Sequence, residues 1–245
     1  MPFLTGPALV VRGTDWSETS RIVTLFTPAH GRLRALAKGG RRLRGAFEGA
    51  LDLLTVLDVV VIAKGNGGLD LLTEARVAEA FPGLRRHLPS LYAGYYVAEL
   101  VADGTQDYDP HPALYAAAVG TLRALSAGGD AGASPLPAVA AFEVAWLREL
   151  GYAPRLDRCA GCDRPRRNPA AGAPFSPSLG GVVCPGCRAA APDRRALSAG
   201  GLAALGRLAS GEVTDGGREV RLALGQAVSY VLGRRPRLLA ELERL

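Results

Sequence analysis

All four cysteines of this 245-residue chain fall in one segment, as Cys159-Ala160-Gly161-Cys162 and Cys184-Pro185-Gly186-Cys187, with 21 residues between the pairs. No other feature constrains the fold so tightly. A two-residue gap turns the chain enough for both sulfurs to reach one ion at about 2.3 Å, and glycine eases each turn. Two such knuckles complete a tetrahedron. The spacing therefore predicts one Zn2+ held by Cys159, Cys162, Cys184 and Cys187. A closed sulfur shell leaves no position for water, so the expected role of the metal is structural. The three histidines, His30, His87 and His111, lie far upstream. Two disulfides or four free thiols are the competing readings.

The N-terminus, Met1-Pro2-Phe3-Leu4-Thr5, lacks the basic and cleavage regions of a secretory signal. That points to a reducing compartment, where thiols stay reduced and bind metal. The expected location is the cytoplasm. The apolar run over 53–63 is interrupted by Asp58 and is too short to cross a bilayer, so no membrane association is expected.

The first 80 residues read as β-structure. Runs rich in Val, Ile, Leu and Thr at 7–13, 20–28, 31–38, 51–63 and 69–80 are separated by turn-forming stretches, among them Pro28-Ala29-His30-Gly31 and Gly65-Asn66-Gly67-Gly68. Five short strands predict a small barrel of the OB type, with an SH3-like barrel as the competitor. After Phe81-Pro82 the period becomes 3.6. Ser90 is placed to cap a helix carrying Leu91, Tyr95, Ala98 and Val101, and a second helix fits 113–125. Ser134-Pro135 opens a third, with Val139, Phe142, Trp146 and Leu150 as a core stripe and Gly151 as its terminator. Ser198 caps a helix bearing Leu202, Leu205 and Leu208, and two more fit 218–232 and 238–245. The expected class is α+β: an N-terminal OB-fold β-barrel over 1–80, then an α-helical domain over 81–245 with an inserted four-cysteine zinc module at 155–195.

A formal charge of +6 suggests an acidic partner, nucleic acid being the commonest. Of the 29 basic residues 27 are arginine, which a GC-rich coding bias also produces, so position must carry the argument. Between Gly31 and Gly45 stand Arg32, Arg34, Lys38, Arg41, Arg42 and Arg44, with no acidic residue among them. On a strand, Leu33, Ala35 and Ala37 face the core while Arg32, Arg34, Leu36 and Lys38 share the outer face. The glycine-flanked loop that follows carries the remaining arginines. A cationic strand row continuing into an arginine loop suits a phosphate backbone, and these six residues are the expected DNA contacts. A solvated basic face is the alternative. Trp16, Phe26 and Phe47 are the only aromatic residues nearby, so stacking platforms are few and binding should be indifferent to sequence. A second cluster (Arg155, Arg158, Arg164, Arg166, Arg167, Arg188, Arg194 and Arg195) surrounds the cysteines, partly offsetting the thiolates.

Three blocks resemble the RecO family of bacterial DNA repair proteins. One runs from Asp15-Trp16-Ser17-Glu18-Thr19-Ser20-Arg21-Ile22 through Ala37-Lys38-Gly39-Gly40-Arg41-Arg42. The second is Phe142-Glu143-Val144-Ala145-Trp146-Leu147-Arg148-Glu149-Leu150-Gly151-Tyr152, leading into Cys159 and Cys162. The third is Gly180-Gly181-Val182-Val183-Cys184-Pro185-Gly186-Cys187. Trp16 stands where that family often has tyrosine. The resemblance implies an OB-fold, a helical domain and a zinc module. It also implies a recombination mediator that binds single- and double-stranded DNA and anneals complementary strands. Such a mediator works with RecR to place RecA on strands coated by single-strand-binding protein (SSB), in the cytoplasm at the nucleoid.

Two other classes compete with a non-catalytic mediator. A two-metal nuclease needs clustered carboxylates or histidines, whereas Asp103, Asp107 and Asp109 sit in a loop without companions. No phosphate-cradling Gly-x4-Gly-Lys-Ser/Thr motif is present. A zinc-ribbon transcription regulator needs a base-reading helix, and no basic helix with Asn, Gln and Arg on one face stands out.

Overall fold

The computed structural model describes residues 2–41, 47, 49–64, 68–168 and 171–245. The chain forms two compact units, Met1–Ala133 and Ser134–Leu245.

In the first unit five strands close a barrel in the order β1-β2-β3-β5-β4. They are β1 (Phe3–Asp15), β2 (Arg21–Thr27), β3 (Gly31–Ala37), β4 (Val56–Ile62) and β5 (Asp70–Glu79). Only β3 and β5 run parallel; the other neighbours are antiparallel. This is the OB-like arrangement expected from the sequence. β1 is longer than its apolar run because it serves two partners: from Phe3 to Leu9 it pairs with β4, and from Leu9 to Asp15 with β2. The strand also begins four residues before the expected start at Pro7, which lies opposite Asp58 inside the ladder.

β4 starts later than expected, at Val56. Leu51 leaves the strand to join Phe47 and Ala50 in the barrel core, beside Val10, Leu25, Leu33, Leu57 and Leu72. Leu54 adopts φ 64°, and its Cδ1 would lie 2.8 Å from a Cβ at Gly94 in the following helix. Burying each such leucine contributes roughly 1.5–3 kcal/mol, enough to override the strand propensity of this stretch.

Three helices complete the unit: α1 (Pro82–Arg86), α2 (Leu88–Gly104) and α3 (Pro112–Asp130). Each carries proline in its first turn, where the missing N–H costs nothing. Pro89 thereby moves the start of α2 upstream of the expected cap. His87 is the N-cap, and Ser90 is buried within the first turn with its Oγ 2.8 Å from His87 Nδ1. α2 packs on β1 and β2, and α3 on β2. They bury the outward residues Leu9, Val11, Thr24 and Phe26, the last with its ring 6.1 Å from that of Tyr115.

The second unit is built on α4 (Leu136–Glu149), α5 (Ala199–Ala209) and α6 (Gly217–Leu232), which pack on one another and bury Phe142, Trp146, Leu205, Leu224 and Val228. A short α7 (Leu239–Glu243) packs on α6. α4 ends where the sequence places its terminator. Gly151 takes φ 84° and donates to Arg148 O at 3.0 Å, while Tyr152 donates to Leu147 O at 2.7 Å, a Schellman motif. Ser198 caps α5 as expected, its Oγ accepting the Gly201 N–H at 3.0 Å. Between α4 and α5 lies a three-stranded sheet in the order β7-β6-β8, made of β6 (Ala173–Ser176), β7 (Gly181–Val182) and β8 (Arg195–Leu197), with a 3-10 helix at Pro185–Ala190.

Candidate functional site

The second unit's small sheet brings the two cysteine pairs together. Arg155 exchanges hydrogen bonds with Gly180 O and the Val182 N–H, both at 2.9 Å, and the Ala160 N–H reaches Val182 O at 2.8 Å. That pairing lays the first knuckle alongside the second. Gly161 passes so close to Cys187 that a Cβ there would sit 3.2 Å from its sulfur. Cys159 is buried with Val183 and Ala191, and Leu179, Cys184 and Cys187 pack around them.

The four Sγ atoms lie within 4.8 Å of one another, and all four cysteines are free of disulfides. Cys162 Sγ and Cys184 Sγ are 3.7 Å apart. Four sulfurs at about 2.3 Å from a central ion would be about 3.8 Å apart, which this separation matches. Backbone donors are already in place: the N–H groups of Gly161 and Cys184 point to Cys159 Sγ at 3.4 and 3.3 Å. Burial pushes the Cys159 thiol up, but the N–H donors of Cys184, Gly161 and Cys162 outweigh it and hold the group at about 6. Cys187 is pushed up to about 12 by hydrogen bonding to Cys162, Cys184 and Cys159. A bound divalent cation would favour the thiolate form of all four and offset their mutual repulsion. The donor set therefore fits a metal ion, and these four side chains are positioned to bind one.

Around the knuckles the arginines divide. Asp163 accepts from Arg158 at 2.5 Å and Arg155 at 3.2 Å, and Arg166 turns inward to Leu156 O and Ala171 O. Arg164, Arg167 and Arg188 remain exposed and rim a cavity of about 400 Å³ floored by Pro174, Val182 and Val183.

On the barrel, β3 alternates as its sequence requires, with Leu33, Ala35 and Ala37 buried and Arg34 exposed. The outward cations differ from one another. Arg32 Nε is 2.6 Å from Asp107, and its Nη1 donates to Ala102 O at the end of α2. Tyr108 seals the same edge: its N–H donates to Arg32 O at 3.0 Å, and its hydroxyl to the buried Asp70 at 2.5 Å. Burial and that carboxylate push the Tyr108 phenol up to about 12. Arg34 and Lys38 are exposed and have no carboxylate partner among the described residues. Arg41 is exposed but engaged, donating to Ser17 O at 2.8 Å and lying 3.4 Å from Asp15. Arg42 and Arg44 lie outside the described residues.

Residues 1–81 match the family model described as Recombination protein O N terminal, and residues 85–238 match Recombination protein O C terminal. The chain belongs to the RecO family. It is 42% identical to the DNA repair protein RecO of Rhodopirellula baltica over 203 residues, covering 83% of this chain and 74% of that one. It is 37% identical to that of Anaeromyxobacter sp. (strain K) over 243 residues, covering 95% and 92%, and 30% identical to that of Symbiobacterium thermophilum, covering 97% and 94%.

Asp103, Asp107 and Asp109 are dispersed into separate ion pairs. Asp103, in the last turn of α2 and not in a loop, is 2.6 Å from Arg12; Asp107 holds Arg32; Asp109 is 3.2 Å from His111. Among the described residues the four cysteines are the one group of three or more ligating side chains close enough to share a metal ion. No described helix is long and apolar enough to cross a membrane. Sequence reading passed over Arg218 and Arg221, which sit one turn apart on α6 and line depressions with Arg195 and Arg235. Their i, i+3 spacing was the available signal.

Proposed function

We propose that this RecO-family chain is a non-catalytic recombination mediator. It binds single- and double-stranded DNA through the outer row of β3, anneals complementary strands, and helps RecR load RecA on strands coated by SSB, in the cytoplasm at the nucleoid. The observation that carries the reading is the pair Arg34, on the outer face of β3, and Lys38, in the turn just after that strand, both exposed and free of carboxylate partners among the described residues. Cations so placed meet phosphates and read no bases, as an annealing protein requires. Arg41 joins them by exchanging Asp15 for a phosphate, and Arg42 and Arg44 extend the track. Arg32 serves instead to fasten the segment after α2 to the barrel. The metal is Zn2+, held by Cys159, Cys162, Cys184 and Cys187. It supplies a structural cross-link, since four thiolates leave no coordination position for substrate.

Labelled complementary strands coated with SSB, incubated with the protein and magnesium with and without RecR, test this reading. Sequence-indifferent binding and annealing are expected, with RecA loading dependent on RecR. Cleavage of the strands, or shifts confined to particular duplexes, would refute it.

A further inference from the structure

The β1–β2 loop holds a side chain that the cationic row does not explain. Trp16 is 64% exposed, immediately after β1, with no ring packed against it among the described residues. Of the other aromatics near the face, Phe26 is fully buried under α3, Phe47 fills the barrel core at 6% exposure, and Tyr108, though 48% exposed, is fastened at the Arg32 end by its hydroxyl on Asp70. Phe3 is equally exposed but stands at the opposite end of β1, about 40 Å away along an extended strand.

The loop that presents Trp16 is tightly held. Its N–H donates to Ser20 O at 3.0 Å, and the Ser20 N–H donates to Ser17 Oγ at 3.1 Å. Arg41 clamps the loop through Ser17 O at 2.8 Å and, by its own N–H, Thr19 O at 3.1 Å. Asp15 is fixed between Arg21 at 3.2 Å and Arg41 at 3.4 Å. A large apolar ring kept in water by an ordered loop is a preorganised binding element, because little loop entropy remains to be lost on contact. The register gives its neighbours. Asp15 pairs with Arg21 and Arg21 with Ala37, so Trp16, Lys38 and Arg41 share one end of the barrel, about 10 Å across.

Resting on the reading of the barrel as a DNA binder, we infer that Trp16 takes an unpaired nucleobase by stacking, and so makes the barrel prefer single strands to duplex. A phosphate row alone gives no preference for single strands, since a duplex offers its phosphates at higher charge density. A duplex hides the faces of its bases within its own stack, whereas a single strand offers them to an aromatic ring. Lys38 and Arg41 stand where the phosphates flanking that base would pass.

The chain has two tryptophans, and Trp146 is fully buried in α4, so DNA-induced quenching of the intrinsic fluorescence reports on Trp16. The full chain is titrated with oligo(dT) and with a duplex of equal length, while anisotropy of labelled DNA measures binding independently. Quenching by oligo(dT) and little by duplex is expected. Trp16→Ala should weaken oligo(dT) binding by about 5- to 150-fold, the worth of one base–aromatic stack, with duplex binding nearly unchanged. Trp16→Phe, which keeps a ring, should retain most of the affinity. Anisotropy showing oligo(dT) bound without quenching, or Trp16→Ala weakening both DNAs equally, would overturn the stacking role and leave the DNA-binding reading intact. Absence of binding to either DNA by anisotropy would overturn both.

Discussion

Arg32 and Arg34 are two residues apart on the same outer face of β3, and their substitution should have opposite consequences. Arg34 and Lys38 lack carboxylate partners among the described residues, so the double substitution Arg34→Ala with Lys38→Ala removes two phosphate contacts and little else. For single strands each contact contributes roughly 0.7 to the slope of log K against log salt, so the slope should flatten by about 1.4. Between about 50 and 200 mM salt the unsubstituted protein should then lose about sevenfold more affinity than the variant. Arg32→Ala should leave the slope alone. It strips Asp107 and Ala102 O of a donor at a side chain only 19% exposed, so the first unit should lose about 1–2 kcal/mol. Anisotropy titrations across salt, paired with urea unfolding of each variant, separate the two effects. A slope flattened by about 0.7 in Arg32→Ala would place a phosphate on Arg32 and refute the division of labour. An unchanged slope in the Arg34 and Lys38 variant, with its stability intact, would mean that this row is merely solvated.

Three further outcomes follow from the packing and the metal site. Gly83→Ala should destabilise the first unit by about 1–3 kcal/mol in urea unfolding, because its Cβ would overlap the Ser126 carbonyl where α1 meets α3. Cys184→Ser should reduce metal content well below one ion per chain by elemental analysis and loosen the small sheet, while the barrel's unfolding transition stays in place. Glu219 accepts from the Ser198 N–H and hydroxyl, which holds its carboxyl below the ordinary 4.5. A depressed carboxylate contributes stability that is fully present above the unfolded value and is lost as pH falls through the folded one. Glu219→Gln should therefore weaken the second unit by on the order of 1 kcal/mol at neutral pH, and its deficit against the unsubstituted protein should shrink below about pH 4.5.

The knuckles, the α4 terminator and the Ser198 cap were legible because their physics is local. A Cys-x2-Cys turn, a left-handed glycine after a helix and a serine before one are set by neighbours a few residues away. The alternation of β3 was legible for the same reason. What separates Arg32 from Arg34 is Asp107, 75 residues further along, and no period within β3 encodes it. Leu51 and Leu54 likewise look like strand residues until the barrel end and Gly94 of α2 are present to receive them. Asp103 was misplaced because α2 runs three residues beyond the last stripe position, through Gly104.

The same long-range packing decides where a polyanion can lie on the barrel. Every strand of a closed barrel has an outward row, and sequence alone cannot rank them. α2 and α3 cover the outward residues of β1 and β2, which are apolar there for that reason: Leu9, Val11 and Phe26 are at most 5% exposed. The segment after α2 then occupies the Arg32 end of β3. This leaves Arg34 on β3 and Lys38 in the turn after it, beyond the strand end expected at Lys38, both towards the end of the barrel that presents Trp16 and Arg41. The helices thus shape the proposed DNA track by exclusion. A variant that loosened α2 from β1 would expose apolar surface beside the track and extend no row of cations.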